Sequence, residues 1–164
     1  MNRSLPHSED MERGLLCSMI HDQDALLSCA RLNPGIFHIP AHQSIFKVLC
    51  ALSAHDTPLA FPLVKLALSN AKELEAIGGV EYLNEIFDFV PTGANWQHYR
   101  ERVCEYHRRR VTIAGCQQLI EQMFDPELEA DQSVTEVVES TLTKLSLNAA
   151  KPEKTSSANW WPRL

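Results

Sequence analysis

The sequence predicts an all-α fold, a compact multi-helix head followed by an antiparallel helical hairpin. First, apolar residues recur at helical spacing through most of residues 9–90, and no segment makes a convincing strand. Second, residues 96–124 carry apolar positions three and four residues apart, the spacing of a helix that lies along a partner helix. Third, Asp125-Pro126 separates this stretch from another periodic segment, and a short connection between helices indicates antiparallel neighbours.

The first three helices of the head have recognisable ends. Ser8 is the predicted N-cap of the first helix, with acidic residues in the first turn. A second helix is predicted over residues 23–32, and Pro34-Gly35 marks the turn after it. Pro40 opens a third helix over residues 41–54. Its predicted apolar face consists of Ile45, Phe46, Leu49 and Leu52.

Proline and glycine residues mark where the remaining helices of the head begin and end. Pro62 suits the first turn of a helix that runs to about Asn70. Gly78-Gly79 closes a helical turn, a fifth helix follows over residues 80–90, and Pro91 stops it. The residues expected to face inward from this helix are Tyr82, Leu83, Ile86 and Phe87.

The hairpin begins at Asn95, a suitable cap, and continues to about Lys144. Arg110 and Gln117 interrupt its apolar seam, which is formed by Trp96, Tyr99, Val103, Tyr106, Ile113, Ile120 and Phe124. The returning helix offers a matching face made of Val134, Val137, Val138, Leu142 and Leu145. We therefore predict a helical head over residues 1–92, a hairpin of the same domain over 93–147, and a polar linker or disordered tail over 148–164.

Composition limits the classes of function. The chain has 164 residues and a net charge of −6, so bulk charge does not favour a polyanion ligand. No apolar run is long enough to span a membrane, and the N-terminus lacks the apolar core of a signal peptide. The five cysteines include no CxxC pair, which predicts buried, reduced thiols in a cytoplasmic protein with no membrane partner.

Motifs that would carry catalysis are missing. The sequence contains no P-loop, no GxGxxG, no GxSxG and no HExxH. His38 and His42 are four residues apart, but Pro40 lies between them, so His42 is predicted to be a hydrogen-bonded residue of the head rather than a metal ligand. We assign no catalytic, cofactor-binding or metal-binding residue to this chain. A small helical enzyme or metal-binding bundle is the least favoured of the functional classes.

Three charged or aromatic features leave alternatives open. The arginines at positions 100, 102, 108, 109 and 110 are a solvated face paired with Glu101 and Glu105, or a contact to a protein or nucleic acid. The acidic residues near the hairpin turn, from Asp125 to Asp131, are a solvated loop or a docking point for a basic partner. Trp160 and Trp161 are a frayed terminus or a short docking motif.

Taken in order, several motifs resemble the amino-terminal domain of the bacterial replicative DNA helicase, the DnaB family. Phe37 with the run from His42 to Phe46 is similar to the family's Phe…His-x-x-Ile-Phe, and the run from Gly78 to Leu83 is similar to its Gly-Gly-x-x-Tyr-Leu. The run from Pro91 to Asn95, with Tyr99 and Val103, resembles its Pro-[Ser/Thr]-x-Ala-Asn-x-x-x-Tyr-x-x-x-Val. The matches extend over residues 6–147, and their order and spacing together are specific.

The resemblance implies a function in DNA replication. In the family this domain pairs with other subunits, from dimer to hexamer, in a trimer-of-dimers collar, and the hairpin region receives the carboxy-terminal domain of primase. A helicase loader is a further candidate partner, and contact with DNA is expected to be indirect. The family's ATP and Mg²⁺ belong to a motor domain that does not follow in these 164 residues, so no cofactor is expected in this chain.

Two roles follow from the resemblance. The chain is an assembly and docking domain of a replicative helicase, or a free-standing relative without a motor that joins or blocks helicase rings. In both cases we predict an interface with a second subunit or partner. The residues assigned to it are Trp96, Tyr99, Val103, Arg110, Ile113, Ile120, Phe124, Val138 and Leu142.

Overall fold

A computed structural model describes residues 4–89, 95–124, 135, 136, 138–140, 142 and 143 of the chain. Within these residues the regular structure is helical and includes no strand, which confirms the predicted all-α class. The elements are α1 (Glu9–His21), α2 (Gln23–Cys29), a 3₁₀ turn (Pro34–Ile36), α3 (Pro40–Ala54), α4 (Phe61–Asn70), α5 (Gly79–Phe87) and α6 (Trp96–Met123). The described residues between 135 and 143 are also helical.

Local chemistry explains where these helices begin. The Ser8 hydroxyl caps α1 by accepting a hydrogen bond from the backbone N–H of Met11, as predicted. Asp22 caps α2 by accepting from the N–H groups of its first turn. Proline occupies the first turn of α3 and of α4, where a missing N–H has no cost.

Two helices end earlier than the sequence predicted. Helix α2 stops at Cys29 rather than at residue 32, and Asn33 then caps the 3₁₀ turn by accepting from the N–H of Gly35 at 2.8 Å. Helix α5 ends at Phe87 rather than at residue 90. The Phe87 carbonyl bonds instead to the thiol of Cys17 at 3.4 Å and the ring of His21 at 2.9 Å, so α1 holds the end of α5.

Gly78 and Gly79 make the sharp entry into α5. Their φ angles are +105° and +77°, in the left-handed region that side chains rarely adopt. A Cβ atom at Gly78 would also lie 3.1 Å from Cβ of Tyr82. This glycine pair therefore sets the direction of α5 and the position of Tyr82, which begins the second turn of that helix.

The core of the head is a single apolar cluster to which the described helices contribute. Pairs of packed helices include α1 with α2, α3 and α5, and α4 with α3 and α5. The largest fully buried apolar side chains are Leu15, Leu16, Met19, Phe37, Ile45, Phe46, Leu49, Leu68, Leu83 and Ile86. The predicted apolar face of α3 is confirmed at Ile45, Phe46 and Leu49, while Leu52 is half-buried.

The chain divides into two compact units, residues 1–113 and residues 114–164. This division falls within α6, whereas the sequence placed the end of the head at residue 92, and the sequence-based bounds stay a prediction. Several predicted features lie outside the described residues: the run from Pro91 to Ala94, the acidic turn from Asp125 to Asp131, most of the returning hairpin helix, and the tail with Trp160 and Trp161.

The cysteines form no disulfide, but the prediction that all are buried is wrong for part of the set. Cys17 and Cys29 are buried, Cys50 and Cys104 are half-buried, and Cys116 is exposed. Cys116 lies in the portion of α6 that belongs to the second unit, beyond the core of the head. No helix in the described part of the chain is long and apolar enough to cross a membrane.

Candidate functional site

A buried carboxylate and a buried histidine lie together at the centre of the head. Glu12 on α1 accepts from Nδ1 of His42 on α3 at 2.8 Å and from the backbone N–H of His38 at 2.7 Å. Nε2 of His42 lies 2.8 Å from the hydroxyl of Tyr82 on α5. The side chains of Glu12 and His42 are fully enclosed, so this chain of hydrogen bonds joins three helices.

The environment of Glu12 favours its ionised form. Burial acts to raise the pKa of the carboxyl, but hydrogen bonds from His42, His38 and Ile39, and the nearby His42 ring, hold the pKa below its usual value. The described residues include no group of three His, Cys, Asp or Glu side chains able to hold a metal. The network therefore fastens the head, and the prediction that His42 is hydrogen-bonded there is confirmed.

The upstream part of the predicted interface packs within the chain itself. Val103 is 1% exposed and belongs to the core cluster, and Trp96 and Tyr99 pack against the same cluster. The ring of Tyr99 lies so close to α1 that a Cβ atom at Gly14 would be 3.0 Å from it. These three positions therefore make contacts within the head, and their assignment to an interface with a second subunit stays a prediction.

Arg110 is likewise engaged within its own chain. Its guanidinium donates to the carbonyl of Pro6 at 3.0 Å, to that of Ile36 at 2.7 Å and to that of Gly35 at 3.4 Å. The sequence analysis treated Arg110 as a break in the apolar seam and as an interface residue. In the structure Arg110 is a buried donor that joins the N-terminal segment and the 3₁₀ turn to α6, and its assignment to an interface stays a prediction.

The downstream part of the predicted interface is open. Ile113 is half-buried at the end of the first unit. In the second unit Ile120 is 57% exposed, Phe124 82%, Val138 40% and Leu142 59%. All four are helical or next to a helix, and they make up half of the exposed large apolar side chains in the described part of the chain. The assignment of these residues to an interface stays a prediction.

Several arginines of α6 pair locally. Glu105 accepts from Arg102 at 2.7 Å and also bonds to Arg109, and both arginines lie within one helical turn of it. The Arg102 guanidinium also lies 5.8 Å from the centroid of the Tyr106 ring. These contacts fit a solvated helix face, which was one of the two alternatives that the sequence left open.

Two features of the site escaped the sequence analysis. Glu12 was not recognised as a buried anchor, although it lies one turn before Leu15 and Leu16 on the apolar face of α1, a position that indicates burial. Leu63 and Leu66 on α4 are exposed, at 37% and 56%, in a helix predicted only as part of the head. A helix that buries one side can carry leucines on its exposed side as well. The sequence therefore does not indicate that Leu63 and Leu66 are the exposed ones.

Comparisons with known proteins agree on one family. Residues 4–105 match the family model of the DnaB-like helicase N terminal domain. The chain is 32% identical over 127 residues to the replicative DNA helicase DnaB of Geobacillus stearothermophilus, a match that covers 77% of this chain and 28% of the relative. It is 27% identical over 146 residues to the replicative DNA helicase DnaC of Bacillus subtilis, covering 88% of this chain and 32% of the relative.

A solved structure extends the agreement to the fold. The crystal structure of the N-terminal domain of DnaB helicase from Mycobacterium tuberculosis matches with a TM-score of 0.75 and 28% sequence identity. The match covers 87% of this chain and 99% of that one. The chain thus corresponds to about the whole of a solved amino-terminal domain, and it spans about 28% to 32% of the curated helicases just described.

Proposed function

Because the chain belongs to the family of DnaB-like helicase N-terminal domains, we propose that it is a non-catalytic assembly and partner-docking domain of a replicative DNA helicase. In this role it associates with copies of itself and receives the carboxy-terminal domain of primase during DNA replication. ATP hydrolysis and Mg²⁺ binding then belong to other parts of the helicase.

The observation that carries this proposal is the exposed apolar surface of the second unit. Ile120, Phe124 and Leu142 are each more than half exposed, and helices in proteins gain most of their stability from packing such apolar residues against a neighbour. Contiguous exposed apolar surface is typical of protein interfaces, in which a few large side chains supply most of the binding energy.

Self-association can be tested by replacing one exposed apolar residue with a charged one. We expect Ile120→Asp to shift the chain from oligomer towards monomer in sedimentation velocity, because burying an unpaired carboxylate in an interface is strongly unfavourable. Leu66→Asp is the matched control, since Leu66 is 56% exposed and Ile120 57%, but Leu66 lies on α4 of the head. An unchanged sedimentation profile for Ile120→Asp would contradict the assembly role of this surface.

Partner docking needs a separate measurement. We expect saturable binding when this chain is titrated calorimetrically with the carboxy-terminal domain of primase from the same organism. Phe124→Ser should weaken that binding if primase contacts the exposed face, and Leu66→Ser should not. Loss of self-association with intact primase binding would assign the two partners to different faces, and absence of binding to the wild-type chain would refute the docking role.

A further inference from the structure

A groove opens on the head where the corner between α1 and α2 meets the connection from α3 to α4. Its lining comes from residues within 19–26 on one side and within 53–59 on the other, and we call it the corner groove. Its volume of about 360 Å³ is near the lower end of the range of roughly 300–1,000 Å³ for ligand pockets. The corner groove lies in the first unit, so it is not part of the surface to which the proposed function assigns partners.

The floor of the corner groove is apolar and its rim is polar. Met19 and Leu26 are buried, and Ile20 and Leu59 are partly buried against the core cluster. The rim includes the exposed side chain of Asp56. Binding sites with an apolar floor and a polar rim suit a large apolar side chain that has polar neighbours.

Backbone hydrogen bonds hold both sides of the corner groove in place. At the α1–α2 corner, the N–H of Asp22 donates to the carbonyl of Ser18 at 2.8 Å. After α3, the N–H of Thr57 donates to the carbonyl of Leu52 at 3.0 Å. A ligand that enters a surface ordered in this way does not have to order the protein backbone, which lowers the entropic cost of binding.

The charge around the corner groove is negative. Residues 17–28 and 51–61, which contain the lining and its neighbours along the chain, include three aspartates and two histidines but no lysine or arginine. Asp24 and Asp56 are exposed, and neither forms an ion pair with another residue that the structure describes. Unpaired carboxylates beside an apolar site attract a cationic partner and repel an anionic one.

This charge distinguishes between classes of ligand. The phosphates of a nucleic acid are repelled by aspartates and need lysine or arginine, which both segments lack. A metal ion needs several ligands, and the described residues include no group of three His, Cys, Asp or Glu side chains able to hold one. The apolar floor and acidic rim together favour a basic segment of a protein.

We propose that the corner groove binds an extended segment of a partner protein in which a large apolar side chain is flanked by lysine or arginine residues. The apolar side chain occupies the floor formed by Met19 and Leu26, and the cationic side chains lie beside Asp24 and Asp56. The charged contacts are exposed, so salt weakens the binding. This proposal does not rest on the proposed function, because it uses no residue of the second unit.

An NMR titration of the intact, isotope-labelled chain with the unlabelled peptide Lys-Arg-Leu-Lys-Arg tests the proposal. We expect saturable shifts of the amides in residues 19–26 and 53–59, with a Kd below about 1 mM. Raising the ionic strength from about 0.1 M to about 1 M should weaken the binding. The peptide Lys-Arg-Ser-Lys-Arg should bind more weakly because it lacks the apolar side chain, and Glu-Asp-Leu-Asp-Glu should not bind.

Asp56→Asn is the variant that removes a rim charge with the least change of structure. The φ angle of Asp56 is +50°, and asparagine tolerates this left-handed region. The variant should raise the Kd of the basic peptide about twofold to fivefold, the effect of one exposed ion pair. Asp24→Asn should act in the same direction and decides the question if Asp56→Asn does not fold. Asp10→Asn is the matched control, because Asp10 is exposed in the first turn of α1, at the opposite end of that helix.

Each of several results would overturn the proposal. Absence of saturable shifts up to about 1 mM peptide, or shifts confined to residues outside the two lining segments, would show that the corner groove is not the site. An equal Kd for the leucine and serine peptides would rule out the apolar contact. An unchanged Kd in both Asp56→Asn and Asp24→Asn would rule out recognition by charge. None of these outcomes bears on self-association or primase binding, which are measured separately through Ile120 and Phe124.

Discussion

The two ends of α6 have the same kind of sequence and opposite surroundings. Near its start, Val103 and Arg110 are buried, and Trp96 and Tyr99 pack against the core of the head. Between Ala114 and Phe124, in the second unit, Ile120 and Phe124 stand exposed. One apolar register thus continues along a helix that is part of a core at its start and a surface at its end.

This comparison shows what a periodic pattern can establish. A repeat of three and four residues identifies a face that some neighbour covers, and it does not identify the neighbour. Here the upstream half of the predicted seam meets α1, as the approach of Tyr99 to Gly14 shows. The downstream half carries exposed apolar side chains, so the two halves should respond to mutation in different ways.

The largest expected effect is at the covered end. Val103→Asp should lower the free energy of unfolding by at least about 3 kcal/mol, because the carboxylate would enter an apolar core without a partner. Urea denaturation followed by circular dichroism measures this change. Ile120→Asp serves as the control on the same helix, and a similar loss of stability for both variants would erase the distinction between the two ends.

A smaller effect should follow where α6 and α1 approach most closely. Gly14→Val should destabilise the chain by about 1–3 kcal/mol, because its side chain would overlap the Tyr99 ring. Combining it with Tyr99→Ala, which removes that ring, should cost less than the sum of the two single changes. Strict additivity in this double-mutant cycle would show that the contact does not fix α6 on the head.

Most of the fold could be predicted from the sequence because its signals are local. The Ser8 cap, the first-turn position of Pro62 and the turn at Gly78-Gly79 each depend on residues close in the chain, and all three are confirmed. The early end of α5 could not be predicted, because it depends on Cys17 and His21, about 70 and 66 residues away from the Phe87 carbonyl that they contact.

The candidate site was less predictable for a related reason. Arg110 looked like a surface residue, since its acceptors are backbone carbonyls 104 and about 75 residues away, and backbone atoms carry no sequence signal. The exposure of Ile120 and Phe124 follows from which elements surround α6, and no residue type encodes that. The motifs of the helicase family predicted the domain. They did not indicate that α6 is partly buried near its start and exposed near its end.

Acid should lower the stability of the first unit through two groups, His107 and Glu12. His107 has a pKa below its ordinary 6.5 in the fold, so the unfolded chain binds more protons as pH falls below that value, and stability declines. Glu12 has a pKa below its ordinary 4.5, so its contribution is present above that value and is lost as pH falls through the folded-state pKa.

Each unit of difference between the folded and unfolded pKa of His107 changes stability by about 1.4 kcal/mol. We therefore expect the urea midpoint to fall from neutral pH downward, with a first decline below 6.5 and a further decline below 4.5. His107→Gln should remove part of the first decline and leave the second. A midpoint that rises on acidification would contradict the assigned signs.

The smallest effect on stability is expected at the open end. Phe124→Ser should change the free energy of unfolding by no more than about 0.5 kcal/mol, since the side chain is 82% exposed and contributes little to a core. Phe46→Ala, at a fully buried phenylalanine of α3, should instead cost about 3–5 kcal/mol. Measured at a concentration where the wild-type chain is monomeric, the comparison separates folding from association. A large loss for Phe124→Ser under those conditions would mean that this residue stabilises its own chain, and the apolar end of α6 would then cease to be available to a partner.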